Sequence, residues 1–150
     1  MRVENVGDAS GSEFRAEKSS SQGLQILFTV AKIQPTDDDQ TIYQGTLRAH
    51  QAKVGEFVVK ADWQSQVLLI EELFIERGYR RKGIGKKVLD FLESEASKLK
   101  IRKVVLEPFP IDPGAFTVES LENWYMKHGY TYFKGKIFAP STNLLAKAVR

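Results

Sequence analysis

Ile70-Glu71-Glu72-Leu73-Phe74-Ile75-Glu76-Arg77-Gly78-Tyr79-Arg80-Arg81-Lys82-Gly83-Ile84-Gly85 is the stretch that decides the fold. It feeds an apolar, β-prone run into a basic, glycine-bearing turn, and the amphipathic run that continues to Lys100 predicts a helix opening at that turn. The first N–H groups of such a helix have no acceptor inside it, so the turn wants an anion. Gly83 and Gly85 lack Cβ and let a ligand lie against the backbone. Arg80, Arg81 and Lys82 add positive charge where the helix dipole is already positive. A pyrophosphate suits these features.

Working outward, the helix carries Ile84, Val88, Leu89, Leu92, Ala96 and Leu99 on one face, with Lys86, Lys87, Glu93, Glu95 and Lys98 on the other. Lys103 to Leu106 follows as a short apolar strand reached by a helical crossover, the pattern of a βαβ unit. Pro108, Pro110, Pro113 and Gly114 make Pro108 to Phe116 a loop. Thr117 can cap a helix from Val118 to His128, with Gly129 as its left-handed stop. Tyr130 to Lys134 and Asn143 to Val149 read as a closing strand pair, turning at Lys134 to Lys136 or near Pro140-Ser141.

Toward the N-terminus, Leu24 to Ile33, Thr41 to His50, Val54 to Ala61 and Val67 to Glu76 read as four strands joined by short turns, an antiparallel meander. Pro35 to Asp39 is the expected end of the first of them. Residues 1–22, rich in Ser, Glu, Gly and Lys without a sustained period, read as a flexible tail, leaving 23–150 as a single domain. Hydrophobic residues make up 42% and charged residues 27%, within the globular range.

The chain has no cysteine, which excludes a disulfide framework, a thiolate nucleophile and a cysteine metal site. His50 and His128 alone do not suggest a metal centre, so no metal is expected. No apolar leader opens the chain and no run of about 18 apolar residues occurs, so the expected compartment is the cytoplasm and no membrane is expected as a partner. The net charge is +3 and the positive charge concentrates at the turn, which argues for a small phosphate ligand over nucleic acid.

Arg80-x-x-Gly83-x-Gly85 after a strand resembles the acetyl-coenzyme A signature of the GCN5-related N-acetyltransferase family. Tyr125-Met126-Lys127-His128-Gly129-Tyr130 is similar to its second motif, Tyr-x-x-x-Gly-Phe, with Tyr for Phe. The resemblance spans Val67 to the C-terminus. It implies an α+β fold with an N-terminal meander, a central βαβ unit at the coenzyme turn, and a C-terminal helix and strand pair. The usual fold also has one or two helices between its first two strands. Here only about seven turn-like residues separate those strands, so the helices are expected to be missing and no acceptor residues carry over from them.

What the resemblance implies chemically is acetyl transfer from acetyl-CoA to an amine, on a small molecule or a protein, by direct attack in a ternary complex. The coenzyme would be held by Arg80, Arg81, Lys82, Gly83, Ile84, Gly85 and Lys86, and its carbonyl polarised by a backbone N–H of Leu73, Phe74 or Ile75, where the family strand is bulged and splays from its neighbour. Tyr125 matches the tyrosine whose hydroxyl meets the coenzyme sulfur. An amine of pKa about 10.4 is almost wholly protonated at neutral pH, and freeing it costs about 4–5 kcal/mol, so a base is worth having. Glu72 and Glu107 are the candidates, with Glu71 third, because strand alternation would send Glu71 and Glu72 to opposite faces. The family's asparagine seven residues before the tyrosine is Val118 here. Relatives often pair through their C-terminal strands, which allows a homodimer. A second class of function stays open: a non-catalytic module whose basic turn binds nucleic acid or another phosphate ligand.

Overall fold

The computed structural model describes residues 2–5, 13–18, 25–37, 39–133 and 144–150. Its described strands form one mixed sheet: β1 (Arg2–Asn5), β2 (Glu13–Lys18), β3 (Ile26–Asp37), β4 (Gln40–Ala49), β5 (Ala52–Asp62), β6 (Val67–Ile75), β7 (Lys103–Leu106), β8 (Thr131–Tyr132) and β9 (Leu145–Ala148). The spatial order is β1-β2-β3-β4-β5-β6-β7-β9-β8. From β1 to β6 every neighbour is antiparallel, as a meander of short connections requires. Helix α1 (Ile84–Lys98) then carries the chain over to β7, which pairs parallel to β6, completing the expected βαβ unit. After α2 (Val118–Lys127), β8 and β9 close the sheet as an antiparallel pair. The two candidate turns between them, at Lys134 to Lys136 and at Pro140-Ser141, lie outside the described residues.

Three features depart from the sequence reading. First, residues 2–5 and 13–18, assigned above to a tail, form β1 and β2, and β2 pairs along the outer edge of β3 from Glu13↔Ala31 to Lys18↔Ile26. An edge strand offers unpaired N–H and C=O groups to whichever segment can extend beside it, and composition does not report that offer. Second, β3 runs on through Pro35 to Asp37, because register shifts between Lys32 and Gln34 and between Pro35 and Asp37 absorb the proline. Third, the turn between β4 and β5 is His50-Gln51, with φ of 50° and 71°, the left-handed pair that matches the twist of a tight hairpin. As expected, no helix separates β3 from β4.

The helices pack on one face of the sheet. There Phe28, Leu47, Phe57, Val59, Leu68, Ile70, Val104 and Leu106 meet Ile84, Val88, Leu89, Leu92 and Ala96 of α1 and Tyr125 of α2 in one buried cluster. Phe91, absent from the predicted helical face, is buried as well and stacks on Phe28 at 4.5 Å between ring centres. Leu99, placed on that face by spacing, is exposed, since α1 stops at Lys98. Burying each such side chain contributes about 1.5–3 kcal/mol. A smaller cluster of Val67, Val105, Leu144 and Ala146 lies apart from this one.

Gly45 sits opposite Phe57 on the neighbouring strand, and a Cβ there would fall 2.0 Å from the Phe57 ring. The glycine leaves the space that the buried aromatic fills. Gly45→Ala should therefore destabilise the fold by about 1–3 kcal/mol, seen as a lower urea midpoint with an unchanged slope. A midpoint equal to that of the parent would show that the ring has another place to go.

Candidate active site

The site begins where two strands part. β6 and β7 pair only from Val67↔Lys103 to Ile70↔Leu106, while β6 continues to Ile75 against β5 alone. Between the pairs Val59↔Ile70 and Val58↔Glu72, Glu71 is an extra residue, a β-bulge that bends β6 away from β7. The bulge also corrects the alternation argument: Glu71 and Glu72 do not sit on opposite faces of a regular strand, and both are exposed. Glu71 pairs with Lys60 at 3.5 Å.

Backbone alternation then identifies which groups face the gap. The Glu76 N–H donates to the Val54 carbonyl at 2.8 Å, so Phe74, two residues earlier, also turns its N–H toward β5. Leu73 and Ile75 present theirs to the open side, and the Ile75 carbonyl there accepts the Arg80 Nε–H at 2.8 Å. Of the three residues predicted to polarise a carbonyl, Leu73 and Ile75 have the right aspect and Phe74 does not.

Beside the gap, a single 3-10 turn (Arg77–Tyr79) leads into the basic segment. Arg81 and Gly83 both have positive φ, 61° and 78°, a pattern that turns successive N–H groups to one side and makes an anion-binding concavity. The first bond of α1 runs from the Lys87 N–H to the Gly83 carbonyl, which leaves the Ile84, Gly85 and Lys86 N–H groups without an acceptor in the helix. No side chain caps this end and its first turn holds no acidic residue. A Cβ on Gly83 would meet nothing within 4 Å, so its conformation demands glycine while its surroundings stay open.

The side chains of the turn divide. Arg81 and Lys82 are exposed, and Lys82 Nζ lies 5.5 Å from the Tyr79 ring centre. Ile84 is buried, so only its backbone can serve a ligand. Lys86 pairs with Asp90 at 2.9 Å. Gly85 is explained by helix packing: a Cβ would come within 3.0 Å of the Trp124 indole of α2. Arg80 is a correction to the sequence reading. Its guanidinium is largely buried and engaged, bonding the Ile75 carbonyl and Asp112 Oδ2, the latter at 3.0 Å, and lying over Phe74 and Phe116. It ties segments together and is not free to hold a phosphate.

On the far wall, Glu107 is exposed immediately after the last paired residue of β7. In α2, Thr117 caps the helix as predicted, in a reciprocal box with Ser120, and Gly129 has φ of 94°. Tyr125 is buried against Trp124 and Tyr130, and its hydroxyl has no hydrogen-bond partner among the described residues. Burial pushes its pKa up to about 12. Tyr130 is also held neutral, by burial and by the nearby Glu93 carboxylate, to which its hydroxyl donates at 3.3 Å. His128 ends the helix edge-on to Trp124, as a terminal residue. Asp112, which sequence reasoning missed, is held below the usual carboxylate range by Arg77 and Arg80. Its partners lie in another segment, and no local pattern announces them.

Solved structures share this fold. An N-acetyltransferase from Thermoplasma acidophilum, solved with coenzyme A, superposes with a TM-score of 0.54 at 18% identity over 71% of this chain and 60% of its own. A GNAT-family acetyltransferase from Staphylococcus aureus gives 0.54 at 17% identity over 77% and 72%. One from Elizabethkingia anophelis with acetyl-CoA bound gives 0.53 at 15% over 74% and 77%. No curated protein matches the sequence. No helix among the described residues is long and apolar enough to cross a membrane. The acetyltransferase (GNAT) domain family matches residues 28–132, a span that holds the splayed strands, the glycine turn and the Tyr125 helix, and the chain belongs to that family.

Proposed function

We propose that the protein is an acetyl-CoA-dependent N-acetyltransferase, acting in the cytoplasm, that passes the acetyl group directly to a primary amine. One observation carries the reading: an open strand edge at Leu73 and Ile75 lies beside a helix end whose N–H groups have neither cap nor counter-charge. A molecule with a pyrophosphate at one end and an amide-bearing arm at the other satisfies both. Acetyl-CoA has that form, and the Thermoplasma and Elizabethkingia relatives are described with coenzyme A and acetyl-CoA respectively.

In this reading the backbone of Arg81 to Lys86 takes the pyrophosphate, with Arg81 and Lys82 adding charge, and the Leu73 and Ile75 N–H groups line the arm. One of those donors polarises the thioester carbonyl, worth about 3 kcal/mol of barrier lowering. The amine nitrogen attacks the carbonyl carbon, the C–N bond forms, and the C–S bond breaks. Glu72 or Glu107 takes the proton lost by the nitrogen, directly or through water. With no cysteine in the chain, no acyl-thioester enzyme intermediate arises. Tyr125, at a pKa of about 12, is a poor proton source for a thiolate of pKa about 8.5, because full transfer would run uphill by about 5 kcal/mol. Its contribution is a hydrogen bond to the departing sulfur from a hydroxyl that has no other partner among the described residues.

Calorimetric titration should show acetyl-CoA binding to the protein and none to Gly83→Asp, which puts a carboxylate in the anion cradle. Binding of oligonucleotides with a steep salt dependence and none of acetyl-CoA would favour the non-catalytic module instead. Tyr125→Phe should lower kcat by about a hundredfold while leaving the affinity for acetyl-CoA unchanged. An unchanged kcat removes Tyr125 from the chemistry.

The same residue makes an alkaline prediction. Its folded pKa of about 12 lies above the unfolded value of about 10, so the stability it contributes is complete below pH 10 and is lost as pH rises toward 12. Unfolding free energy measured from pH 9 to 12 should fall across that window, and less steeply in Tyr125→Phe. Equal slopes in the two proteins would show that its ionisation is not coupled to folding.

A further inference from the structure

The loop from Glu107 to Phe116 is tied across the gap between the strands. It leaves the end of β7 at Glu107, and its Asp112 Oδ2 accepts hydrogen bonds from Arg77 at 2.9 Å and Arg80 at 3.0 Å, on the segment that follows β6. Arg80 in turn grips the Ile75 carbonyl at the end of β6 and lies 5.2 Å from the Phe116 ring centre. The loop is thereby a strap joining the two walls of the splay at their open end. Three prolines stiffen it, Pro108 is buried beneath it, and the Ala115 and Phe116 N–H groups close a turn onto the Asp112 carbonyl at 3.0 and 3.3 Å.

Between the buried Pro108 and the latched Asp112 the strap carries Phe109, 74% exposed, and Ile111, 49% exposed. Much of both side chains stays in water on a stiffened, anchored loop, which leaves apolar surface available to cover a ligand. The exposed carboxylates Glu72 and Glu107 stand on the two walls that the strap joins. Glu107 is two residues from Phe109 along the chain, so negative charge and apolar surface sit on one strap, and together they complement one kind of molecule, a cationic amine with an apolar body.

We infer that this strap selects the acceptor, and that the acceptor is a small primary amine carrying an apolar group. The inference rests on the acetyltransferase reading above and adds the substrate class. The ammonium meets the carboxylates, which also take its proton, while the apolar group covers Phe109 and Ile111. A mouth bridged by the Asp112 latch favours a small molecule over a segment of folded protein.

Initial rates of thiol release with acetyl-CoA would be compared for a phenylalkyl primary amine, an aliphatic polyamine, and a peptide with a free alanine N-terminus. The phenylalkylamine should have a kcat/KM at least about tenfold above both others. The double variant Phe109→Ala with Ile111→Ala, at exposed positions, should erase that advantage by raising the amine KM about tenfold, with the KM for acetyl-CoA unchanged. Phe109→Leu should keep most of it. A preference for the polyamine or the peptide, or indifference to the double variant, overturns this inference and leaves acetyl transfer standing. Absence of acetyl-CoA binding by calorimetry overturns both.

Discussion

Two strands that pair for four residues each and then separate are the constraint from which the rest of the molecule follows. A parallel ladder left open in a sheet is costly, because its N–H and C=O groups lose partners without gaining a core. The protein tolerates the opening by holding β6 against β5 throughout and by bending it at the Glu71 bulge. Part of the open edge is then answered locally, since Arg80 takes the Ile75 carbonyl. Among the described residues the Leu73 and Ile75 donors stay unanswered, and donors are what an acyl carbonyl requires.

Arg80 shows how closely the scaffold and the site are joined. A single guanidinium reaches the end of β6, the loop after β7 and two aromatic rings. Its charge is spent on Asp112, which leaves the backbone and the outward Arg81 and Lys82 as the uncommitted positive groups of the turn. Gly83 and Gly85, two residues apart, likewise answer to different needs: one to a left-handed turn with open space around it, the other to an indole on the facing helix. A motif written as a single string is thus a composite of independent physical demands.

This explains what the sequence disclosed. Signals carried by neighbours in the chain were legible: the glycine turn, the periodicity of α1, the Thr117 cap, the Gly129 stop and the crossover to β7. Signals carried by distant partners were not. Nothing near Asp112 announces Arg77 or Arg80, an extra residue at Glu71 leaves no trace in composition, and the pairing of β2 along the edge of β3 is set by a partner outside its own segment. Pro35 looked like a stop, and only the register shifts opposite β4 let the strand pass it. That Leu73 and Ile75, and not Phe74, turn their N–H groups to the gap follows from the hydrogen-bond phase of β5 against β6, which no side chain encodes.

The uninterrupted hairpins from β3 to β6 have a bearing on how the chain reaches this state. Each joins segments adjacent in sequence, so loop closure is cheap, whereas β7 meets β6 only across the whole length of chain that holds α1. Folding on these terms would proceed from the N-terminal half toward the C-terminal half, and the gap between β6 and β7 would be the last part of the protein to acquire its shape.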